Sequence, residues 1–489
     1  MGETKKLMFR NQYLLTNKEI HLQKDATKIC IGDFTLYFGN DIECYTIQKD
    51  DMQITLLGYV FHCYNDKKEQ DLITNLFTLT ESELLDEIDL WCGHFVLFIK
   101  DKDIKIYNDA CASFKVFYGE QDGNKAVGSD PKIINTFFNF EEDENPEKLK
   151  FYQSDYFKRN NVKAGNETQY TNINQLVANH SLNSGTLNYH RIFPRKKRVE
   201  ISEKESAKKI IPIFKNLTKN IHKRYNIYAS ITAGFDSRLS MAATKKIAKE
   251  ITYYTFKFSN KTEDYIDYRI PKQITSKLSL KYILKPLISK LPEIEKQKIL
   301  ASYDSPRLKL FLQYFENFPK HKKENILMTG GGSEVAKNYL ENVSIKNGKH
   351  LVRAIHFPDN TYLDKYYQNW LDKNKKLISD FDYNILDLVH WEQDITSFAG
   401  QNMHYAHHYT KIISIFNCTK VLELMLSVEK KKRDAKNPKF YKYLINKMWP
   451  ELNNFPYNPS LKEKLILLFK KIKIYRAYKF LQIRLKSNG

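Results

Sequence analysis

The hydrophobic period changes in the middle of the chain, over residues 226–247. Residues 226–231 (Asn-Ile-Tyr-Ala-Ser-Ile) are mostly apolar, include β-branched and aromatic types and lack helical spacing, which predicts a short buried strand. Small residues follow. Apolar positions then recur with the period of a helix at Leu239, Ala242, Ala243 and Ile247. The pattern predicts a strand, a tight turn and a helix.

The turn between this strand and helix has the properties of an anion site. N–H groups point outward at a helix N-terminus, where the helix dipole favours negative charge. The small residues Ala233 and Gly234 would let phosphate oxygens approach the backbone. Asp236 would repel a phosphate, so its presence predicts a Mg²⁺ ion between carboxylate and phosphates. An ordinary turn capped by Asp or Ser is the alternative.

Strands and helices alternate around this turn. Residues 251–258, 281–284 and 325–329 have the pattern of strands, and residues 267–278 that of a helix. This alternation is typical of a parallel sheet with right-handed crossovers, in which ligands bind beyond the carboxyl ends of the strands. The glycine-rich turn Thr329-Gly-Gly-Gly-Ser-Glu334 is predicted to lie at such an end, as the first turn is.

The flanking regions have other patterns. A capping box at Ser202 and Glu205 starts a helix that leads into the strand at 226. Residues 380–450 look helical. Residues 1–140 read as short β segments around a helical stretch at 69–85, and the segments lie at 54–61, 94–99, 104–107, 114–118 and 126–128.

Composition narrows the class of protein. The 489 residues include 42% hydrophobic residues and suffice for two or three domains. With 78 Lys and Arg against 57 Asp and Glu, the charge is compatible with nucleic acid, a membrane surface or acidic substrates, and equally with the codon usage of an AT-rich genome. Six cysteines without metal-ligand spacing, no long apolar run and no signal peptide favour a cytoplasmic protein.

Two features near the C-terminus each allow two interpretations. One predicted helix carries three histidines at positions i, i+3 and i+4, which are His404, His407 and His408. They form either a metal-binding face or, as we favour, a polar face of the helix. Residues 461–486 carry nine Lys and Arg interleaved with apolar residues. They predict a basic C-terminal helix that either contacts the inner face of a membrane or is solvated.

Both turns resemble motifs of one family. Thr232-Ala-Gly-Phe-Asp-Ser237 resembles the Ser-Gly-Gly-x-Asp-Ser loop of the asparagine synthetase family and other N-type ATP pyrophosphatases. The turn at 329–334 resembles that family's second motif, with Glu334 at the position of its metal-binding Asp. Gly331 replaces a Glu of the family and Val335 replaces a second acid. The departure at Gly331 makes aspartate plus ammonia an uncertain substrate pair.

The N-terminal region resembles the glutamine amidotransferase domain of the same family. The segments Gly58-Tyr-Val-Phe61, Trp91–Phe98 and Tyr107–Ala110 stand in that domain's order. Its glutaminase nucleophile is a Cys exposed as residue 1, whereas Gly2 has that place here. We therefore expect a retained sandwich without glutaminase activity.

The resemblance implies a fold of α+β and α/β type with two domains. A degenerate, Ntn-type, β-sandwich-like domain would occupy 1–140, and 141–200 would be a linker with interdomain strands. Residues 201–460 would form a parallel-sheet α/β ATP pyrophosphatase domain, similar to adenine nucleotide α-hydrolases, with added helices. The basic helix would occupy 461–489.

The resemblance also implies a site for ATP and Mg²⁺. Asp236 and Glu334 would hold the metal, and a cation would contact pyrophosphate, with Arg433, Lys442 and Lys447 as the candidates. The expected nucleotide contacts are Ile231, Thr232, Ala233, Gly234, Phe235, Asp236, Ser237, Phe258, Thr329, Gly330 and Gly331.

Three functions follow from these observations. The first is an ATP-dependent ligase that activates a small or glycan-linked carboxylate as an acyl-adenylate. Its amine would be ammonia, supplied free or by a separate glutaminase, or an amine of the substrate itself. The second is a catalytically degenerate binding or scaffold protein. The third, an RNA-modifying thiolase, ranks last because the only cysteine after Cys111 is Cys418, so we expect no nucleic-acid partner.

Overall fold

The structure, a computed structural model, describes residues 9–21, 26–287, 292–305, 308, 324–337 and 344–459. The described chain has an N-terminal part with two antiparallel sheets and a C-terminal part built on one parallel sheet. The prediction of two parts with these two kinds of sheet is confirmed. Gly2 and the predicted basic helix at 461–489 lie outside the described residues.

The N-terminal part contains most of the strands. They are β1 (Tyr13–Thr16), β2 (Ala26–Ile31), β3 (Phe34–Gly39), β4 (Cys44–Lys49), β5 (Met52–His62), β6 (Trp91–Lys100), β7 (Ile104–Asn108), β8 (Phe117–Gln121), β9 (Asn124–Gly128), β10 (Ile173–Gln175), β11 (His180–Asn183) and β12 (Tyr189–Arg191). The helices are α1 (Glu69–Leu76), α2 (Glu81–Ile88), α3 (Pro131–Phe138), α4 (Pro146–Gln153) and α5 (Asp155–Asn160). The sheet orders are β10-β8-β9-β1-β3-β2 and β12-β11-β7-β6-β5-β4.

The alternation of side chains along the strands explains the layers. In β5, Leu57 faces the other sheet and packs with Val96, Phe98 and residues of β1, whereas Leu56 faces α1 and α2 on the opposite side. Helix α3 covers the outer face of the other sheet, which contains β1, β3, β8 and β9. The N-terminal part is therefore a sandwich of two sheets with a helical layer on each side.

The structure corrects three details of the predicted pattern. The helical stretch at 69–85 is two helices, because Thr80 caps α2 with a capping box. The strand expected at 114–118 begins at Phe117, since Asp109 holds Ser113 and Phe114 by their N–H groups in a turn. The stretch at 141–200 contains α4 and α5, and its strands complete the two sheets by pairing β10 with β8 and β11 with β7.

The C-terminal part contains five strands within the described residues, which are β13 (Asn226–Ser230), β14 (Thr252–Lys257), β15 (Lys281–Pro286), β16 (Asn325–Thr329) and β17 (Lys411–Ser414). Its helices are α6 (Glu203–Arg224), α7 (Phe235–Ala243), α8 (Ile266–Lys277), α9 (Glu293–Ala301), α10 (Gly348–Ala354), α11 (Thr361–Asp380), α12 (Ile385–Val389), α13 (Gln401–His407), α14 (Thr419–Leu426) and α15 (Lys439–Met448). A π-helical segment, His390–Gly400, joins α12 to α13.

All neighbouring strands of this sheet run parallel, in the order β15-β14-β13-β16-β17. The predicted parallel sheet is confirmed. Strand β17 was not predicted, because its four residues lie in a region whose other residues are helical. Leu239, Ala242 and Ala243 are buried as predicted, but α7 ends at Ala243, and Ile247 lies in a short 3-10 turn.

The two parts share one core. Tyr59 of β5 donates to the carbonyl of Ile412 in β17 at 2.7 Å, and the Asn417 amide donates to the carbonyl of Gly93 in β6 at 2.6 Å. Apolar residues of β5 and β6 belong to the same buried cluster as the parallel sheet. The edge of the parallel sheet is thus covered by the N-terminal sandwich.

The three histidines of α13 and its end lie in this shared interface and not on a polar helix face. His404 and His408 are fully buried, and the His407 ring stacks on His94 with 3.4 Å between centroids. Burial lowers the pKa of His407 to about 3, so its ring is neutral. Among the described residues no group of three or more His, Cys, Asp and Glu could hold a metal ion, and no helix is long and apolar enough to cross a membrane.

Candidate active site

The candidate site lies where the strand order of the parallel sheet reverses. Strands β14 and β15 follow β13 on one side, and β16 and β17 lie on the other. Because β13 and β16 are paired in parallel from Asn226 with Asn325 to Ala229 with Met328, the turns after them emerge side by side. In open α/β sheets, such a switch point is where ligands bind.

The first turn is tied to the start of α7. The Ser237 hydroxyl accepts from the N–H of Thr232 at 3.0 Å and lies 2.9 Å from the Thr232 hydroxyl. The N–H of Gly234 donates to Thr232 Oγ1 at 3.2 Å. Ile231 is fully buried and bonded to β14 through Tyr254 and Thr255. The turn is therefore held in one conformation by its own short side chains.

One N–H group of this turn already contacts a carboxylate. The N–H of Ala233 donates to Oδ1 of Asp267, in the first turn of α8, at 2.8 Å. The backbone of the turn is thus arranged to bind an anionic oxygen. Phe258 lies nearby in the chain after β14, and its N–H donates to the Tyr268 hydroxyl at 2.6 Å.

The second turn approaches the first through its glycines. A Cβ on Gly330 would lie 2.8 Å from the backbone carbon of Asp236 and 2.9 Å from the Ser237 nitrogen. Gly332 has a φ of +90°, and a Cβ there would lie 2.9 Å from the Cys111 sulfur. The N–H of Gly331 donates to Thr329 Oγ1 at 3.3 Å. The nearby backbone of Asp236 and Ser237 excludes larger residues at Gly330, and the positive φ together with the Cys111 sulfur disfavours them at Gly332.

Two acidic residues meet between the turns. Asp236 accepts from the Ser333 hydroxyl at 2.5 Å and pairs with the Lys337 ammonium at 2.5 Å. Glu334 accepts from the N–H of Gly332 at 2.8 Å. Burial, and next the charge of Asp236, raise the pKa of Glu334 above its usual value. The two residues that the resemblance pairs as metal ligands therefore lie close enough for the charge of Asp236 to act on Glu334.

This carboxylate pair fits Mg²⁺ by its chemistry. Mg²⁺ takes one or two protein carboxylates, completes its octahedron with water and substrate phosphates, and would relieve the repulsion that raises the Glu334 pKa. Asp236 and Glu334 would hold it, and Lys337 would have to leave Asp236. Lys337 and Ser333 were not singled out from the sequence, because only the fold places them on Asp236.

The π-helical segment adds a histidine to this region. His390 pairs with Asp394 at 2.8 Å. Burial lowers the pKa of His390, but the hydrogen bond and charge of Asp394, together with the charge of Glu334, raise it to a net value above the usual one. π-Helical turns often mark functional sites, which is a signal that requires the structure. Helix α15 contributes Tyr441, whose hydroxyl donates to the Ser333 carbonyl at 2.6 Å.

The three predicted pyrophosphate cations lie in different surroundings. Arg433 is buried, pairs with Asp387 at 2.7 Å and donates to the Ala336 carbonyl at 3.0 Å. Arg433 therefore holds the residues that follow the second turn. Lys442 lies beside the first turn, 5.6 Å from the centre of the Phe235 ring. Lys447 is exposed in the last turn of α15.

A C-terminal segment, residues 453–459, covers the first turn. Tyr457 stacks on Phe235 with 4.1 Å between ring centres, and the N–H of Asn458 donates to the Ala233 carbonyl at 3.2 Å. Arg238 is fully buried and its guanidinium lies 3.8 Å from the centre of the Tyr457 ring. Arg238 also donates to four carbonyls, those of Ala233, Leu452, Phe455 and Pro456.

Comparisons with known proteins give a distant likeness. No family model and no curated protein matches the chain. Among solved structures, the allosteric regulatory enzyme of purine biosynthesis is 9% identical, with 60% of this chain and 74% of that chain covered and a TM-score of 0.26. Glutamine phosphoribosylpyrophosphate amidotransferase from B. subtilis, complexed with ADP and GMP, is 8% identical. That comparison covers 67% of this chain and 72% of that chain, with a TM-score of 0.21. TM-scores this low carry no argument about the fold or the activity.

Proposed function

We propose that the chain is an ATP-dependent amide-bond-forming enzyme that activates a substrate carboxylate as an acyl-adenylate and releases pyrophosphate. The observation that supports this most is the contact between the two turns at the switch point of the parallel sheet, where Asp236 accepts from the hydroxyl of Ser333, the neighbour of Glu334 in the chain. Two acids from neighbouring turns, next to backbone N–H groups, suit a nucleotide with its metal ion. The resemblance of both turns to the asparagine synthetase motifs supports the same reaction.

In this proposal the chain acts mainly by positioning and by neutralising charge. The N–H groups at 235–237 would hold phosphate oxygens, and Lys442 would add positive charge beside Phe235. Bound Mg²⁺ would neutralise the phosphates. A substrate carboxylate oxygen would bond to the α-phosphorus as the bond to pyrophosphate breaks. The amine nitrogen would then bond to the acyl carbon, AMP would leave, and the amine proton would pass to water.

The amine would come from outside the N-terminal part. Gly2 stands where a glutaminase of this type needs Cys. Ammonia from solution, a separate glutaminase or an amine of the substrate itself would supply the nitrogen. The acceptor would be a small or glycan-linked carboxylate.

ATP–pyrophosphate exchange tests the proposal. Purified protein with Mg²⁺ would be screened against a library of carboxylates, with and without ammonia. We expect exchange with one acid class, and at least a hundredfold loss in Asp236→Asn. Asp122→Asn, in the exposed turn between β8 and β9, is the matched control and should keep full exchange. Exchange that persists in Asp236→Asn would contradict the assigned site.

A second candidate is a degenerate protein that binds partners without catalysis. It is favoured by the contacts in which protein groups already satisfy the site: Lys337 and Ser333 on Asp236, and Asp267 on the N–H of Ala233. Calorimetric titration with ATP and Mg²⁺ separates the two. Absence of nucleotide binding favours this second candidate.

A further inference from the structure

A basic groove lies beside the first turn. Its cavity volume is about 1070 Å³, and its lining includes four lysines, Lys432, Lys436, Lys439 and Lys442. Among the described residues that line it, Glu203 is the one acidic residue. The floor carries Phe235 and Tyr457, the stacked pair that covers the first turn. The groove therefore shares Phe235 and Lys442 with the candidate nucleotide site and extends away from it.

The positive charge of the groove is only partly compensated. Lys432 lies 3.5 Å from Glu203, and Lys442 donates to the Asn437 side chain at 2.8 Å. Lys436 and Lys439 make no ion pair with any residue in the described part of the chain. Two unpaired ammonium groups on one concave surface repel each other and attract an anion.

The start of α15 adds to this charge. This helix of ten residues has no side-chain cap and no acidic residue in its first turn, and Lys439 is its first residue. Positive side chains at a helix N-terminus oppose the helix dipole, and acidic residues are preferred there. Local arrangements that cost stability are typical of functional sites. A bound anion would offset both the dipole and the lysines.

The groove is separate from the carboxylate pair. Its lining contains Phe235 but neither Asp236 nor Glu334 nor Lys337. Asp236 contacts Ser333 and Lys337 instead. The volume also exceeds what a single phosphate fills, and it is comparable with that of the largest pockets that hold whole small molecules.

We propose that the basic groove binds the acidic substrate of this enzyme, a molecule with at least two carboxylate or phosphate groups in addition to the one that reacts. The inference rests on the proposed function, because it assigns the substrate class of that reaction. The lysines hold the anionic groups, and Phe235 joins the groove to the turn where the nucleotide binds.

Direct binding tests the groove. The full chain would be titrated by calorimetry with trigalacturonate, which carries carboxylates, and with glucose 1,6-bisphosphate, which carries phosphates. The test variant combines Lys436→Glu with Lys439→Glu. The matched control combines Lys208→Glu with Lys215→Glu, two exposed lysines of α6 that are outside the groove. Both variants change the net charge equally.

We expect the groove variant to bind the preferred probe at least about tenfold more weakly, and the control to stay within about twofold of wild type. The affinities for the two probes show which anionic group is preferred. No binding of either probe, or an equal loss in both variants, would overturn the inference. If the wild type shows no ATP–pyrophosphate exchange but the groove binds as expected, the proposed reaction fails and the anion site remains.

Discussion

The ammonium of Lys337 lies 2.5 Å from the carboxylate of Asp236, and this ion pair joins the turn after β16 to the turn after β13. The two side chains are 7% and 24% exposed, so solvent screens the pair little. In this structure the Lys337 ammonium is paired with the carboxylate that the proposed metal ion would bind.

Lys337→Gln should therefore raise the affinity for Mg²⁺ in the absence of nucleotide, by roughly tenfold. The variant removes the ammonium group that competes with the metal ion for the Asp236 carboxylate. Titration with Mn²⁺, followed by electron paramagnetic resonance, measures the effect. Lys346→Gln, at an exposed lysine, is the control and should not change the affinity. Unchanged affinity in Lys337→Gln would argue that Asp236 is not a metal ligand.

Gly330 and Gly331 provide a matched pair of substitutions in one turn. A Cβ at Gly330 meets the backbone of Asp236 within 3 Å, whereas a Cβ at Gly331 meets only Thr329 and Ala399, at 3.8 Å or more. Gly330→Ala should lower the free energy of unfolding by about 1–3 kcal/mol and weaken ATP binding. Gly331→Ala should change stability by less than about 1 kcal/mol. Urea unfolding compares the two, and equal effects would show that the turns are not in contact.

Arg238 links the first turn to the C-terminal segment, because it donates to the carbonyl of Ala233 on one side and to those of Leu452, Phe455 and Pro456 on the other. Lysine keeps the charge but lacks the planar fork, so Arg238→Lys should cost about 2–4 kcal/mol. Cleavage by chymotrypsin after Tyr457 should become faster. Arg353→Lys, 59% exposed, serves as the control. Cleavage at the wild-type rate would mean that the segment is held by other contacts.

Lys115 makes stability depend on pH. It is fully buried in the N-terminal part, and burial, followed by the charge of Lys163, lowers its pKa from 10.5 to about 7. Between these values the unfolded chain binds a proton that the folded chain does not. The free energy of unfolding should therefore rise with pH between about 7 and 10, by at most about 1.4 kcal/mol per pH unit from this group.

Lys115→Met should remove that contribution. Its free energy of unfolding should rise less steeply between pH 7 and 9 than that of the wild type, as measured by urea unfolding at several pH values. Lys105→Met, at a half-exposed lysine, should keep the wild-type slope. Parallel pH profiles for Lys115→Met and wild type would show that the buried lysine stays charged.

The parallel sheet could be predicted because its signals are local. The strand at 325–329 was predicted with the bounds of β16, and that at 226–231 ends one residue beyond β13. Buried strands are continuous apolar runs, and small residues mark the turns after them. For the same reason, the turns that carry Asp236 and Glu334 could be placed at the carboxyl ends of strands of one sheet.

The remaining parts of the site depend on tertiary contacts. Lys337 is one of many lysines in the sequence, and only the fold places it on Asp236. Asp267 contacts Ala233 because α8 begins beside the first turn. His404 has a polar side chain but is fully buried, because the sandwich covers α13. Strand β17 is too short for a period of two to be visible among helices.

Because the two parts share one core, the N-terminal sandwich cannot be removed without exposing the parallel sheet. Tyr59, Cys92 and Asn417 connect β5 and β6 to the end of the parallel sheet, with Cys92 donating to the Ser414 carbonyl at 3.2 Å. A chain that began at residue 201 would expose this sheet edge and the apolar side chains around it, and we expect it to aggregate. The sandwich thus stabilises the sheet on which the candidate site is built, whether or not it has chemistry of its own.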